Sequence, residues 1–451
     1  MNGWKTSPAR WGLWLASLPW TALAQTPAAP PLSEINALRQ AVQALRSQYE
    51  ERLAQLEGQL QTLLAQSSAR PPAEPAPAPI PPAPSTALST VPSFNPELSL
   101  ILSGGLFHDR QSPTAPGLWR GIAQAEGSTQ GWGQRGLNLG ETELGLSANI
   151  DPWTRGSLTL AVDPQGPVSV EEAYVQSTAL GAGLRWKVGR FYSGVGYLNA
   201  QHAHAWDFYD PPMAYQAFLG GQYGDDGLQL QWLAPTEQYL QWGLEWGRGR
   251  SFPATEGSRN GPGMMALTAH TGGDWGESHN WRAGVSWWQG QADGQRLQWL
   301  DPAGQAMLGS FTGTTRIRML DGVWKWAPGG NASRQSFKLQ AEWLQMDRRG
   351  EMSVSGPAQA SDGFSANGAY VQALYQFRPG WRTGWRAEAL WPGQRAAPVP
   401  ARHSWVLDHA PSEFARWRLQ WTQDASRAGP VAHRWLLQYQ MSLGAHPAHA
   451  Y

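Results

Sequence analysis

Arg434-Trp435-Leu436-Leu437-Gln438-Tyr439-Gln440-Met441-Ser442-Leu443 alternates along nearly its whole length. Trp435, Leu437, Tyr439, Met441 and Leu443 fall on one parity, and Arg434, Gln438, Gln440 and Ser442 on the other. A period of two over about ten residues is a β-strand with one face in an apolar phase. The same pattern recurs upstream. Thr142, Leu144, Leu146, Ala148 and Ile150 oppose Glu141, Glu143, Ser147 and Asn149, and Leu184, Trp186 and Val188 oppose Arg185 and Lys187. Leu240, Trp242, Leu244 and Trp246 oppose Gln241 and Glu245, while Phe337, Leu339, Ala341 and Trp343 oppose Lys338, Gln340 and Glu342. Trp381, Trp385, Ala387 and Trp391 oppose Arg382, Arg386 and Glu388, and Trp417, Leu419 and Trp421 oppose Arg416, Arg418 and Gln420.

A soluble β-sandwich would also alternate. Here, however, the apolar face is broad and tipped with aromatic rings, and the other face is strongly charged, as a water-filled lumen requires. The 27 tryptophans suit the girdles where a barrel crosses the headgroup region. Residues 94–451, about 358 in number, give about 16 strands at roughly 22 residues per strand and connection. The expected fold is therefore all-β, a transmembrane antiparallel β-barrel. Mean hydropathy is negative, but that test misses barrels because each strand is only half apolar.

The N-terminus sets the compartment. Lys5 and Arg10 precede an apolar stretch from Trp11 to Trp20, and Ala22-Leu23-Ala24 supplies small residues at a cleavage point. Residues 1–24 read as a secretory signal peptide, too short in its apolar part to span a bilayer. The chain has no cysteine, so disulfides and thiolate chemistry are excluded. Its 34 basic and 34 acidic residues balance, which argues against nucleic acid.

Residues 25–66 follow as a periplasmic coiled coil, with Ile35, Leu38, Val42, Leu45, Tyr49, Leu53, Leu56, Leu60 and Leu63 stepping by 3 and 4. Two successive steps of four around Tyr49 form a stutter. Residues 67–93 are rich in Pro and Ala and favour an extended spacer. Self-association through the coiled coil, as a trimer, is expected, and the spacer allows a peptidoglycan contact.

Two segments switch parity: Val168 to Leu180 around Glu171-Glu172, and Thr315 to Ala327 around Asp321-Gly322. A bulge or a strand end beyond the membrane accounts for either. Asp151-Pro152, Asp225-Asp226-Gly227 and Pro379-Gly380 read as tight periplasmic turns. Arg110 to Gly136, Gly249 to Gly263 and Gly350 to Ser365 read as external loops.

The densest chemistry lies between Gly189 and Pro212. His202 and His204 share a face at strand spacing, with Asp207 and Asp210 close behind. Imidazole with carboxylate can hold Zn²⁺ or a similar ion, and His108, His446 and His449 would join if closure brings the chain ends together. The plainer expectation is a loop folded into the lumen as a constriction. GxSxG, HExxH and P-loop motifs are all lacking, so no enzyme and no cofactor is expected. Glu143, Arg185, Lys187, Arg190, Glu245, Arg382, Arg386, Arg416 and Arg418 are the expected lumen-facing charges.

The run from Val170-Glu-Glu-Ala-Tyr-Val-Gln-Ser177 through Trp186-Lys-Val-Gly-Arg-Phe-Tyr-Ser-Gly-Val-Gly-Tyr-Leu-Asn199 to Thr236, preceded by a leader, coiled coil and Pro/Ala spacer, resembles bacterial outer-membrane porin-like proteins. Phosphate-selective and related substrate-preferring porins with an N-terminal coiled coil are the similar kind. The resemblance implies an outer-membrane channel for passive diffusion of small hydrophilic solutes or ions, inserted by the barrel-assembly machinery into outer-membrane lipid. Metal-linked (zinc) uptake or binding, and tethering of the envelope, are the alternative functions. In the family that this chain resembles, a phosphate preference goes with a lumen rich in lysine and arginine, whereas here only Lys187, Lys325 and Lys338 follow the leader and acids balance bases. The chain ends on an aromatic, Tyr451, in phase with Trp435 to Leu443, but Pro447 and His449 interrupt that series.

Overall fold

The computed structural model describes residues 96–109, 118–127, 135–140, 142–162, 167–178, 180–255, 260–301, 303–354, 363–393, 399–427 and 430–444. The leader, coiled coil and Pro/Ala spacer, with His446, His449 and Tyr451, lie outside the described residues.

The described chain is one closed antiparallel barrel of sixteen strands. In chain order these are β1 (Glu97–Asp109), β2 in two pieces (Gly136–Leu139 and Thr142–Asn149), β3 (Thr154–Val162), β4 (Val168–Ser177), β5 (Leu184–Tyr192), β6 (Gly224–Leu233), β7 (Tyr239–Gly247) and β8 (Met264–Trp275). There follow β9 (His279–Leu300), β10 (Ala306–Trp326), β11 (Ser336–Val354), β12 (Gly363–Arg378), β13 (Trp381–Pro392), β14 (Ala401–Ser412), β15 (Ala415–Asp424) and β16 (Ala432–Gly444). Each strand pairs with the next, and β16 closes on β1 from Leu443 opposite Leu100 to Arg434 opposite Asp109. A further two-residue piece, Gln124–Ala125, lies beside β9. Closure leaves no unpaired edge, which a chain in hydrocarbon needs because lipid offers backbone groups no partner.

Alternation sorts the side chains as expected. On β16, Arg434, Leu436, Gln438 and Gln440 are buried inside, whereas Trp435, Leu437 and Leu443 stand exposed outside. The outer face continues with Leu98, Leu106, Trp242, Leu267, Val285, Leu320, Trp385 and Trp405. So broad an apolar exterior marks a membrane surface. Near the short turns, outward rings meet across strands: Trp275 with Trp281, His279 with Trp324, Trp324 with Phe337, Trp381 with His409, and Trp417 with Tyr439. Amphipathic rings collect at the headgroup boundary, and this belt places the barrel in its bilayer. Among the described residues no helix is long and apolar enough to cross a membrane; the strands do so.

The two parity switches resolve differently. In β4 a register shift between Thr159 and Leu160 of β3 opposes Glu172 and Val170, leaving Glu171 as the extra residue. This bulge sends the side chains of both Glu171 and Glu172 toward the same histidine. In β10 the expected bulge is absent. Pairing with β9 and β11 runs unbroken through Asp321 and Gly322, and Ile317, Met319, Asp321 and Val323 all point inward. The apolar residues change side only in appearance, because the barrel holds an apolar core of its own. The run Asp225-Asp226-Gly227, expected to be a turn, is instead the start of β6.

Candidate functional site

Between β5 and β6 the chain turns into the barrel. Residues 193–223 form an inward segment whose ends are buckled together by Asn199. Its side-chain nitrogen donates to the carbonyls of Ser193 (2.8 Å) and Tyr223 (2.9 Å), and its oxygen accepts from the Tyr223 amide (2.8 Å). With the base closed, the segment reaches across the lumen and bonds to the wall on almost every side.

Glu245 of β7 receives the Ser193 hydroxyl and the Gly194 amide, and Ser286 of β9 receives the Gly196 amide. Glu342 of β11 accepts the amides of Tyr197 (3.0 Å) and Leu198 (3.2 Å) and the hydroxyls of Tyr215 and Tyr370. Gly196 sits at φ +66°, and a Cβ there would lie 2.5 Å from the Glu342 carboxylate, so only glycine fits.

The segment ends in helix α1 (Met213–Leu219), whose first amide donates to Glu388 of β13 at 2.6 Å and whose C-cap is the left-handed Gly220. Met213, Tyr215, Ala217 and Phe218 are fully buried, in one apolar cluster with Trp288, Ile317, Met319, Leu344, Met346 and Leu390 of the wall. Gly368 of β12 lets the helix approach, since a Cβ would come within 2.8 Å of Ala214.

Two charged clusters complete the attachment. His202 Nε2 lies 3.0 Å from Glu172, and its Nδ1 faces Glu143 at 3.3 Å and Glu171 at 3.5 Å. His204 Nδ1 lies 2.8 Å from Glu143, and the two imidazoles stack with centroids 5.5 Å apart. Burial alone would make the His202 imidazole a weaker base, but Glu143, Glu171 and Glu172 outweigh it and raise its pKa well above the ordinary value.

Across the lumen, Asp207 meets Lys338 of β11, Gln372 of β12 and Arg382 of β13 (2.9 Å). Asp210 meets Arg386 (3.1 Å), Arg402 of β14 (2.9 Å) and Gln420 of β15 (2.8 Å). Burial opposes ionisation of both aspartates, yet the surrounding cations hold them below the usual carboxylate range. Arg416 and Arg418 donate to the carbonyls of His204 (2.7 Å) and Trp206 (2.8 Å).

Most of the expected lumen charges thus lie inside and serve the segment: Glu143, Glu245, Arg382, Arg386, Arg416 and Arg418 all touch it. Lys187 sits 4.3 Å over the Tyr174 ring, and Arg185 is exposed. Arg190 departs from the expectation. It shares the parity of Trp186 and Val188 and pairs outside with Asp226 at 2.6 Å. His108 is exposed opposite Trp435, on the outer parity, and does not join the histidines. Asp207 and Asp210 do not join them either; the carboxylates beside the imidazoles come from β2 and β4.

Arg402 and Asp408 escaped sequence reading, although Arg402, Ser404, Val406 and Asp408 alternate with His403, Trp405 and Leu407. Asp408 binds Arg382 and Arg418 and so keeps both cations in place.

Openings lined by described residues remain beside the segment. At the short-turn mouth a cavity of about 820 Å³ is lined by Asp207, Asp274, Lys325, Lys338, Gln376 and Arg382, among others. A smaller gap of about 180 Å³ is lined by His204, Trp206 and Tyr209 and by Ser103, Arg418, Gln438 and Gln440 of the wall.

No family model matches the chain. It is 29% identical over 343 residues to an uncharacterised protein of Aquifex aeolicus (strain VF5), covering 70% of this chain and 71% of that one. Among solved structures it is similar to the outer-membrane channel DcaP of Acinetobacter baumannii, at 12% identity and a TM-score of 0.48, over 77% of this chain and 97% of that one. It is also similar to OprB of Pseudomonas putida, at 13% identity and a TM-score of 0.47, over 77% and 94%. The trimer form of OmpT, an outer-membrane protein of Vibrio cholerae, gives 10% identity and a TM-score of 0.47 over 77% and 99%.

Proposed function

We propose that the barrel is a passive outer-membrane channel for small hydrophilic solutes or ions, with residues 193–223 as its constriction. The observation that carries this reading is the inward segment itself. It crosses a polar lumen, is tied to the wall by side chains on strands all round the barrel, and leaves charged openings beside it. A lumen of about sixteen strands is wide enough to conduct water unless something fills it. Solutes entering from the short-turn mouth would meet Lys325, Lys338 and Arg382 beside Asp207 and Asp274, a mixed-sign lining that sorts by charge and size. Arg185 and Lys187 would line the opposite side. The segment 25–66 would join copies of the chain, as a trimer, through its coiled coil.

Purified full-length protein in a planar bilayer should give stepwise conductance. Asp207→Ala/Asp210→Ala, which frees one side of the segment, should enlarge each step. A bilayer that stays silent for both proteins would overturn the reading.

A further inference from the structure

We propose that Glu143, His202 and His204, with the Glu171 carboxylate beside His202, form a binding site for a divalent transition-metal ion of the Zn²⁺ type, which clips the inward segment to β2 and β4. One donor atom from each of Glu143, His202 and His204 lies within 4.8 Å of the others. Two His202 contacts are especially telling. Its Nδ1 stands 3.3 Å from Glu143 and 3.5 Å from Glu171, near the edge length of roughly 3.3 Å in a tetrahedron with 2.0–2.1 Å bonds. His202 Nδ1 and Glu171 Oε2 are both buried without a hydrogen-bond partner, and each faces the other. Buried polar atoms are seldom left in that condition unless something else takes them.

The supporting contact is also in place. His202 Nε2 lies 3.0 Å from Glu172, so this ring nitrogen can keep its proton while the ion displaces the one on Nδ1. A carboxylate behind the ligating imidazole is the usual outer partner of a metal-bound histidine. Two imidazoles with carboxylates and no thiolate suit Zn²⁺, Co²⁺ or Ni²⁺ better than Ca²⁺ or Mg²⁺, which take oxygen donors. The donors come from β2 and the inward segment, and the neighbouring carboxylate comes from the β4 bulge. The site therefore exists only while the segment is folded in, and the ion would favour that position.

Titration of full-length protein in detergent with ZnCl₂ should show one site per chain. Glu172→Gln, which touches only the outer partner, should weaken binding by about 10- to 100-fold. His202→Ala/His204→Ala should remove it. Wild type that takes up no Zn²⁺, or a double variant that binds it unchanged, would overturn the site. X-ray absorption on the zinc-loaded wild type gives a second reading that needs no variant: imidazole scattering supports the site, and an all-oxygen shell refutes it. Conductance recorded without zinc separates this proposal from the channel reading. A silent bilayer with intact zinc uptake refutes the channel and leaves the site standing.

Discussion

The inward segment meets the wall through opposite chemistry on its two sides. Toward β2 and β4 it offers the bases His202 and His204 to Glu143, Glu171 and Glu172. Toward β11, β13 and β14 it offers the acids Asp207 and Asp210 to Lys338, Arg382, Arg386 and Arg402. The wall alone would carry an acidic side facing a basic side, and the segment lies between them with matching charge. Wall charges that alternation assigns to passing solutes are thus largely engaged by the protein itself. The two anchors also differ in depth. Asp210, Arg386, Glu388 and Arg402 are essentially sealed from solvent, whereas His202 keeps about a fifth of its side chain exposed.

That difference in depth predicts the largest effect at the aspartate side. Asp210→Ala leaves Arg386 and Arg402 to share Glu388, and an uncompensated buried charge costs about 3–5 kcal/mol. The expected outcome is rapid protease cleavage within 193–223 while the barrel stays folded. Helix α1 limits the damage, since burying side chains such as Met213 and Phe218 stabilises by roughly 1.5–3 kcal/mol each. Protection equal to wild type would show that the apolar cluster alone holds the segment and would end the two-anchor comparison.

His202→Ala in the presence of a chelator should have a smaller effect. It removes contacts to carboxylates worth about 1.5–3 kcal/mol and leaves a partly hydrated acidic pocket rather than a sealed charge. Protease protection at the histidine side should fall while the Asp210 side keeps its own. If His202→Ala loosened the segment more than Asp210→Ala, the ranking by burial would be wrong.

Much of this architecture was legible from period two alone. Alternation located most of the strands, the lumen face of Arg382, Arg386, Arg416 and Arg418, and the irregularity at Glu171-Glu172. The run from Gly189 to Pro212 was also legible as a segment turned inward. What period two could not supply was pairing across the lumen. His202 lies about 30 residues from Glu172 and Asp210 lies 176 from Arg386, and it takes the inward turn of the segment and the curvature of the barrel to bring such residues together. Nor could it separate apolar residues facing lipid from those facing an inner core, which is why Thr315 to Ala327 changes parity although β10 has no bulge at Asp321-Gly322. Arg190 misled for a related reason: a charge near the end of a strand can sit outside the hydrocarbon on either face.

The mildest test is pH, because it removes charges and leaves every side chain in place. The His202 pKa is raised by folding, so its contribution is complete below the ordinary histidine value of about 6.5 and is lost as pH rises through the folded value. Asp207 and Asp210 are shifted down, so theirs is complete above the ordinary aspartate value of about 3.9 and is lost as pH falls through the folded values. The histidine anchor also needs Glu143, Glu171 and Glu172 ionised, so both anchors are at full strength between about pH 4.5 and 6.5. Hydrogen exchange of the 193–223 amides should be slowest in that window after correction for intrinsic rates. On the alkaline side, protection should decline first around Ala203–Ala205; on the acid side, around Tyr209. His202→Ala should abolish the alkaline decline and leave the acid decline around Tyr209 in place. An alkaline decline that survived this change would mean that the two sides of the segment do not titrate separately.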